Sequence, residues 1–417
     1  MKAYDVIVIG GGAAGLSAAL SASRQGASAA VLEASSRVGR KILASGNGRC
    51  NLANTGEMNY PGGGALARQV LGKCPPEEVL AFFRSLGLVT AEEEGGRVYP
   101  GCGQAAAVLD VLRGEIARRG VPVLCDTPAL RLEIAQTGLR VHTKTEVFSA
   151  RAVICACGGM AGGKLGHDGG AYRLLTGLGH TLVSPRPALS PLIAEKDAVK
   201  GLSGLRLPAI LTLCRKASGK PQPLTRPSQG EALFTDYGVS GVCAMELARR
   251  AGQEKNETGA WPVLYMDFAP MLGLCPRHYG WAEADADPFR HVKAAEALLE
   301  ARRHMLPEEE LLRGLTPRIL ADRLRGLRVP ALARQLTAFP VPLIGVRGFA
   351  YAQVTAGGVA CAEFAGETLM SRLVPGLYAA GEMLDVDGAC GGFNLQFAFA
   401  SGLIAGASAA RFARADS

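Results

Sequence analysis

The chain has 417 residues, 48% of them hydrophobic and 20% charged, with 54 glycines; this excludes a disordered or fibrous protein and describes an α/β chain large enough for two or three cores. A formal charge of +8 and a pI near 9.0 admit an anionic small molecule or nucleic acid as partner without choosing between them. Eleven cysteines and six histidines lack zinc-knuckle or helical ligand spacing, so no metal site and no disulfide framework are expected, and reduced thiols in a cytoplasmic setting are.

The first element is the most informative. Val6-Ile7-Val8-Ile9 reads as a buried strand that runs into Gly10-Gly11-Gly12-Ala13-Ala14-Gly15 and then a helix. In this Gly-x-Gly-x-x-Gly turn Gly10 permits the tight bend, Gly12 lets backbone approach a diphosphate, and Gly15 lets helix and strand pack closely. Ala13 and Ala14 open the helix, whose unpaired N–H groups and positive dipole end favour phosphate. A second strand, Ala29-Ala30-Val31-Leu32, ends in Glu33, a carboxylate placed to accept both ribose hydroxyls of an adenosine. These glycines make the opening run a strand and turn rather than a signal peptide. No uninterrupted apolar stretch is long enough to expect a bilayer-spanning helix.

The segment Gly39 to Leu52 is dense in Gly, Asn, Ser and Arg and resists assignment as helix or strand, the pattern of a loop folded around a polar ligand. Arg40 and Lys41, with Arg49, can neutralise phosphate, while Ser45, Asn47 and Asn51 can bond a ribityl chain or polar ring edge. Helices are expected from Pro75 to Leu86 and from Gln104 to Arg119, followed by strands at 121–124, 139–142 and 152–157. The last of these ends in Gly158-Gly159, a form suited to a second backbone approach to a dinucleotide.

Between about 190 and 270 short β-like runs such as Ala209–Leu213 and Pro262–Met266 alternate with Gly/Pro/Ser turns. From about 287 to 339 the pattern is helical, broken by Pro307, Pro317 and Pro330. Its arginines read as a solvated face, since no aromatic residues are interleaved for base stacking. Nucleotide-binding character returns at Leu377-Tyr378-Ala379-Ala380-Gly381-Glu382 and at Cys390-Gly391-Gly392-Phe393-Asn394-Leu395. A small-residue helix from about Leu395 to Arg411 follows, suited to pack against the first strands, its glycine-rich entry suited to partial negative charge.

Four blocks resemble one family: Gly10 to Gly15 with Glu33; Gly39 through Asn51; Gly230 to Gly241 (GEALFTDYGVSG); and Val354 to Val359 leading to Gly381-Glu382 and Gly391 to Asn394. Together they span nearly the whole chain. It resembles two-dinucleotide-binding-domain flavoproteins, and more closely the bacterial HI0933-like, or aminoacetone oxidase family, FAD-binding enzymes, which include flavoproteins linked to bile-acid chemistry. The resemblance implies FAD rather than NAD as the held ligand. It puts Glu33 on the adenosine ribose, Ala129 at adenine, Glu382 near the ribityl–phosphate portion, and Gly392, Asn394 and Leu395 near the isoalloxazine ring. It also implies an α/β fold: a discontinuous Rossmann-like FAD domain over 1–189 and 343–417, a β-rich barrel-like domain over 190–285, and a helical insertion over 286–342. The chain departs from the family's Thr-Gly-Asp-Gly-Tyr turn at His167-Asp168-Gly169-Gly170-Ala171-Tyr172.

The function expected is an FAD-dependent oxidoreductase passing hydride between flavin N5 and a small organic, hydrophobic enone or steroid-like substrate. NADH or NADPH is the expected transient donor, with no second glycine fingerprint dedicated to it. The proton donor is left open among Tyr237, His167, Tyr351 and Cys390. The alternative is a flavoprotein that binds or modifies RNA, motivated by the charge and opposed by the missing stacking positions. Oligomeric state is left undetermined.

Overall fold

A computed structural model describes residues 2–216, 220–275 and 286–415. The chain divides into two compact units, one of residues 1–186 with 354–417 and one of residues 187–353.

The first unit is built on a seven-stranded sheet in the order Val123–Leu124, Ala29–Leu32, Lys2–Ile9, Val147–Cys155, Gly138–His142, Arg131–Ala135, with Leu377–Ala379 also pairing Val147–Cys155. The nucleotide-side strands are parallel and their registers align one end. Ile9 lies opposite both Leu32 and Cys155, and Ala379 lies opposite Cys155. Residues 10, 33, 156 and 380 therefore leave the sheet side by side at its carboxyl edge, where ligands bind in open parallel sheets. The strands are near-continuous runs of Val, Ile, Leu and Ala with side chains buried on both faces.

One face is covered by the fingerprint helix Ala13–Arg24, itself covered by the C-terminal helix Phe393–Ala415. The two approach backbone to backbone: a Cβ at Gly402 would lie 2.2 Å from the Ala14 carbonyl oxygen, and one at Gly406 would lie 2.1 Å from that of Ala18. Ser21 Oγ donates to the Leu403 carbonyl at 2.7 Å across this contact. The C-terminal helix has the length and hydropathy of a bilayer span, against the sequence expectation, but 72% of its apolar window is buried inside the protein. Its apolarity belongs to a core helix.

The segment after the second strand is more ordered than a ligand-wrapping loop. Arg40–Ala44 is a short α-helix beginning after Gly39, and Ser45–Gly48 a single 3₁₀ turn. Buried Ile42 anchors the helix, while positive φ at Gly46 and Asn47 stops it. The polar composition around it concealed a short helix docked by buried Ile42 and half-buried Leu43.

In the second unit the sheet order is Gln222–Pro223, Arg206–Arg215, Ser228–Phe234, Gly238–Ser240, Leu192–Ala194, Phe339–Val346, Val263–Asp267, and Arg206–Arg215 pairs again with Val263–Asp267. That last pairing closes six strands into an antiparallel barrel. Helices Val292–Arg303, Arg318–Arg323 and Val329–Thr337 bury Leu299, Leu320, Leu332 and Leu336 in the same core as barrel residues Leu211, Phe234 and Leu264. The β-like and helical segments thus share one core. Strand Phe339–Val346 extends that unit past 342, hidden in the sequence by Pro340 and Pro342, which lack the N–H of ordinary strand residues. Residues 276–285, at the end of the expected β-rich segment, lie outside the described residues.

Candidate functional site

At the carboxyl edge of the first unit's sheet the fingerprint has the geometry its spacing implies. Gly10 (φ +106°) turns the chain while its N–H donates to the Leu32 carbonyl at 2.8 Å. At Gly15 a Cβ would lie 1.8 Å from the Gly10 carbonyl oxygen, so no larger residue fits between turn and helix. Gly12 is the N-cap of the helix that Ala13 and Ala14 begin, with no side-chain cap, and a Cβ there would meet nothing within 4 Å. An uncapped helix N-terminus facing open space is the cradle a diphosphate requires.

Glu33 follows the neighbouring strand, half-buried. Its Oε2 accepts the Gly11 N–H and its Oε1 the Ser35 N–H, each at 2.7 Å. Two backbone donors thereby fix the carboxylate, and each oxygen keeps a lone pair for a ribose hydroxyl. Ala129 is half-buried in the loop after strand Val123–Leu124. That loop is tied to the same acid, since Thr127 N donates to the Glu33 carbonyl at 2.8 Å.

The returning segment meets this corner. A Cβ at Gly381 (φ +66°) would sit 2.9 Å from the Ala14 Cβ, and its N–H donates to Ser401 Oγ on the C-terminal helix at 2.9 Å. Glu382 is a junction. One oxygen accepts the Thr355 N–H at 2.7 Å; the other accepts the Gly159 N–H at 3.1 Å and Lys41 Nζ at 3.0 Å. Lys41 also donates to the Gly159 carbonyl at 3.1 Å. Gly158 (φ +76°) lies beneath the pair, where a Cβ would be 3.7 Å from Lys41 Nζ and 3.9 Å from the carboxylate.

Several polar residues of the 40–51 segment have protein partners of their own. Arg40 donates to Ser35 Oγ at 3.1 Å and to the Lys164 carbonyl at 3.0 Å, and Ser45 Oγ donates to the Ile42 carbonyl at 2.7 Å. Asn47 is exposed on its turn. Asn51 differs: it is buried, and its Oδ1 has no hydrogen-bond partner. A Cβ at Gly392 would fall 2.4 Å from the Ala53 carbonyl oxygen and 2.6 Å from that orphan oxygen. The Gly-Gly entry to the last helix is thus set by close approach to residues 51–53. Asn394 pins the preceding loop instead of standing free, accepting the Gly388 N–H at 2.8 Å and donating to the Gly388 carbonyl at 2.9 Å. Leu395 packs half-buried against the core.

His167 accepts the Gly169 N–H on Nδ1 at 2.9 Å and faces the Gly158 carbonyl through Nε2 at 2.9 Å. It is therefore the neutral tautomer carrying its proton on Nε2, and burial lowers its pKa. The Tyr172 ring meets His167 edge-on at 4.8 Å. The Tyr172 hydroxyl is buried without a partner, and burial beside Glu382 and Asp385 raises its pKa. Asp168 Oδ1 accepts the Gly170 N–H at 2.8 Å and closes the departing turn. Cys390 is half-buried just before the last helix. Sequence reasoning missed Thr355 and Ser401. Thr355 lies in a block that carries the family resemblance, but only the fold brings it to Gly159 and brings Ser401 to Gly381.

A family model for the HI0933-like protein Rossmann domain matches residues 4–408. The chain belongs to that family. Among HI0933-like relatives it is 36% identical over 97% of its length, and 98% of the other's, to the 3-dehydro-bile acid delta(4,6)-reductase of Clostridium scindens. It is 25% identical to the ribosomal RNA dihydrouridine synthase of Escherichia coli, covering 96% of each. Its fold is similar to that of a 3-ketosteroid delta1-dehydrogenase from Sterolibacterium denitrificans, with a TM-score of 0.54 at 14% identity over 99% of this chain and 100% of that one. The α/β class expected from the sequence, an FAD-binding Rossmann domain interrupted by a β-rich unit, is the class of this HI0933-like protein.

The residues fit an FAD. An open helix N-terminus suits the diphosphate, a fixed carboxylate with spare lone pairs suits the ribose, and the unpartnered Asn51 Oδ1 and Tyr172 hydroxyl are two buried polar atoms of the kind a bound polar group satisfies.

Proposed function

We propose that this HI0933-like protein is an FAD-dependent oxidoreductase that reduces a carbon–carbon double bond conjugated with a carbonyl in a small, hydrophobic, steroid-like molecule, with NADH or NADPH as electron donor. The observation that carries the reading is the convergence of residues 10–15, 33, 158–159 and 381–382 at one sheet edge. FAD, when bound, supplies a ring that accepts and gives hydride.

The chain's own residues bind and orient that group. Gly12, Ala13 and Ala14 would present N–H groups to the diphosphate, Glu33 would take the ribose hydroxyls, and Ala129 would lie at adenine. Glu382 with Lys41 and Gly158 would hold the sugar–phosphate middle, and Asn51, Gly392 and Leu395 would face the ring. Arg40 and Ser45 would act by shaping their turn, and Asn394 by fixing residues 388–389. His167, whose Nε2 proton is committed to the Gly158 carbonyl, would position that backbone rather than donate to substrate.

The names of the relatives support reduction, since a bile acid delta(4,6)-reductase and a dihydrouridine synthase both imply saturation of a carbon–carbon double bond. Eleven cysteines without framework spacing suit a reducing, cytoplasmic setting. The test is the visible spectrum of purified protein, then anaerobic titration with NADH and NADPH, then reoxidation by a panel of enones that includes a 3-oxo-Δ4 steroid. Bleaching by one nucleotide and recovery with an enone is expected. Protein that stays colourless after incubation with FAD would sink the reading.

A second reading is favoured by the full-length likeness to ribosomal RNA dihydrouridine synthases of Escherichia coli and Haemophilus influenzae: a flavoprotein that reduces a base in RNA. A gel shift with ribosomal RNA fragments at two salt concentrations separates the two, because phosphate contacts weaken steeply with salt.

A further inference from the structure

Within the barrel unit, Tyr237 and Tyr351 meet on one side chain. The Arg347 guanidinium carbon lies 3.1 Å from the centroid of the Tyr351 ring and 4.4 Å from that of Tyr237. Sequence and sheet explain the meeting. Arg347 follows strand Phe339–Val346, and the turn closed by Tyr351 N donating to the Gly348 carbonyl at 2.9 Å brings Tyr351 back over it. Tyr237 sits in the turn between strands Ser228–Phe234 and Gly238–Ser240, held by its carbonyl accepting the Ala194 N–H at 3.0 Å. The Arg347 backbone is fixed on both sides, its N–H on the Pro191 carbonyl at 2.9 Å and its carbonyl on the hydroxyl of buried Ser190 at 2.8 Å.

Arg347 also lacks a counter-ion that several arginines of the same unit have. Arg206, Arg215, Arg250, Arg303, Arg313 and Arg325 of the same unit each pair with a carboxylate. Among the described residues the Arg347 guanidinium has neither an ion pair nor a hydrogen bond. With two aromatic rings against its central carbon, its unpaired N–H groups remain to bind, and a guanidinium fork matches a planar carboxylate in two parallel bonds. The rings hold the fork in place beforehand and offer apolar contact beside it.

We propose that Arg347, clamped by Tyr351 and Tyr237, anchors the carboxylate of an amphipathic small molecule. The choice of a steroid-like carrier rests on the function proposed above; the anion site itself rests on the clamp. A single guanidinium fork suits one carboxylate better than a phosphate backbone, which is held by several cations.

The test titrates flavin-loaded protein by calorimetry with sodium cholate below its micellar range and with the uncharged alcohol of the same ring system. The native protein is expected to prefer cholate by at least about ten-fold. Arg347→Gln removes that preference, Arg347→Lys keeps part of it because charge persists without the fork, and Tyr351→Ala, at a ring 53% exposed, weakens cholate several-fold without lowering Tm. Cholate bound equally by the native and Arg347→Gln proteins overturns the proposal. So does a loss shared equally by the alcohol, or a loss confined to ribosomal RNA fragments. Preference for cholate through Arg347 without reoxidation by any enone leaves the anchor standing and the reductase reading fallen; enone turnover with no effect at Arg347 gives the reverse.

Discussion

Glu382 is the residue on which the site most depends, because its carboxylate answers three donors from three separate segments: Thr355 N, Gly159 N and Lys41 Nζ. In Glu382→Ala those donors lose their acceptor at a place only partly open to water. Hydrogen bonds to a charged group are worth about 1.5–3 kcal/mol each, and with solvent replacing part of the loss a net cost of about 2–3 kcal/mol is expected. Thermal unfolding of the apoprotein should show it as a Tm drop of roughly 4–10 °C, with FAD retained poorly on gel filtration. Glu382→Gln keeps one acceptor and should recover part of both. An alanine variant that unfolds with the native protein and stays yellow would show that the carboxylate organises nothing.

Among the elements, the contact between the fingerprint helix Ala13–Arg24 and the C-terminal helix Phe393–Ala415 has no room for side chains at its centre. Gly402→Val puts branched carbons where even a Cβ would lie 2.2 Å from the Ala14 carbonyl. Overpacking a core costs about 1–3 kcal/mol, and here the obstacle is backbone, so a value at the upper end is expected. Because Ala14 belongs to the N-terminus that would hold the diphosphate, the variant should lose FAD at temperatures where circular dichroism still reports native helix. Unchanged flavin retention would mean the helices part without moving that N-terminus. The helix Ala105–Arg118 makes a pH-dependent prediction. Hydrogen bonds from Arg118 and Arg119 lower the Glu115 pKa from 4.5 to about 2. A pKa lower in the folded state means stability that is complete above about pH 4.5 and is lost as pH falls toward 2. Urea midpoints across that window should fall less for Glu115→Gln than for the native protein, and parallel curves would refute the assignment.

At the scale of the molecule, every residue of the candidate FAD site lies in 2–186 or 354–415, outside the barrel unit. Strands Leu182–Ala188 and Val354–Val359 pair with each other, so the ends of the excised stretch already lie close. Replacing 187–353 by a short Gly/Ser linker is expected to leave a yellow protein with no enone turnover; a soluble but colourless product would show that the barrel unit contributes to holding the flavin. What was legible in the sequence follows the same division. Gly10, Gly12, Gly15 and Glu33 announce themselves because each answers a backbone or hydrogen-bond demand within one strand–helix–strand unit. The Lys41–Glu382 pair spans 341 residues, and the contact of Gly381 with Ser401 depends on where a whole helix docks, so neither could be read from spacing. Strand Phe339–Val346 was masked by its prolines, and the helix Arg40–Ala44 by its polar composition. Arg347 drew no attention because an arginine acquires meaning only from what lies against it. The meeting of Gly381 with Ala14 has a further consequence, in time. During synthesis at about 5–20 residues per second, the apolar face of the fingerprint helix waits roughly twenty to seventy-five seconds for the helix that begins at Phe393. A nascent or truncated chain therefore lacks the returning part of the candidate flavin site, and uptake of the coloured cofactor would report that the last helix has been made and docked.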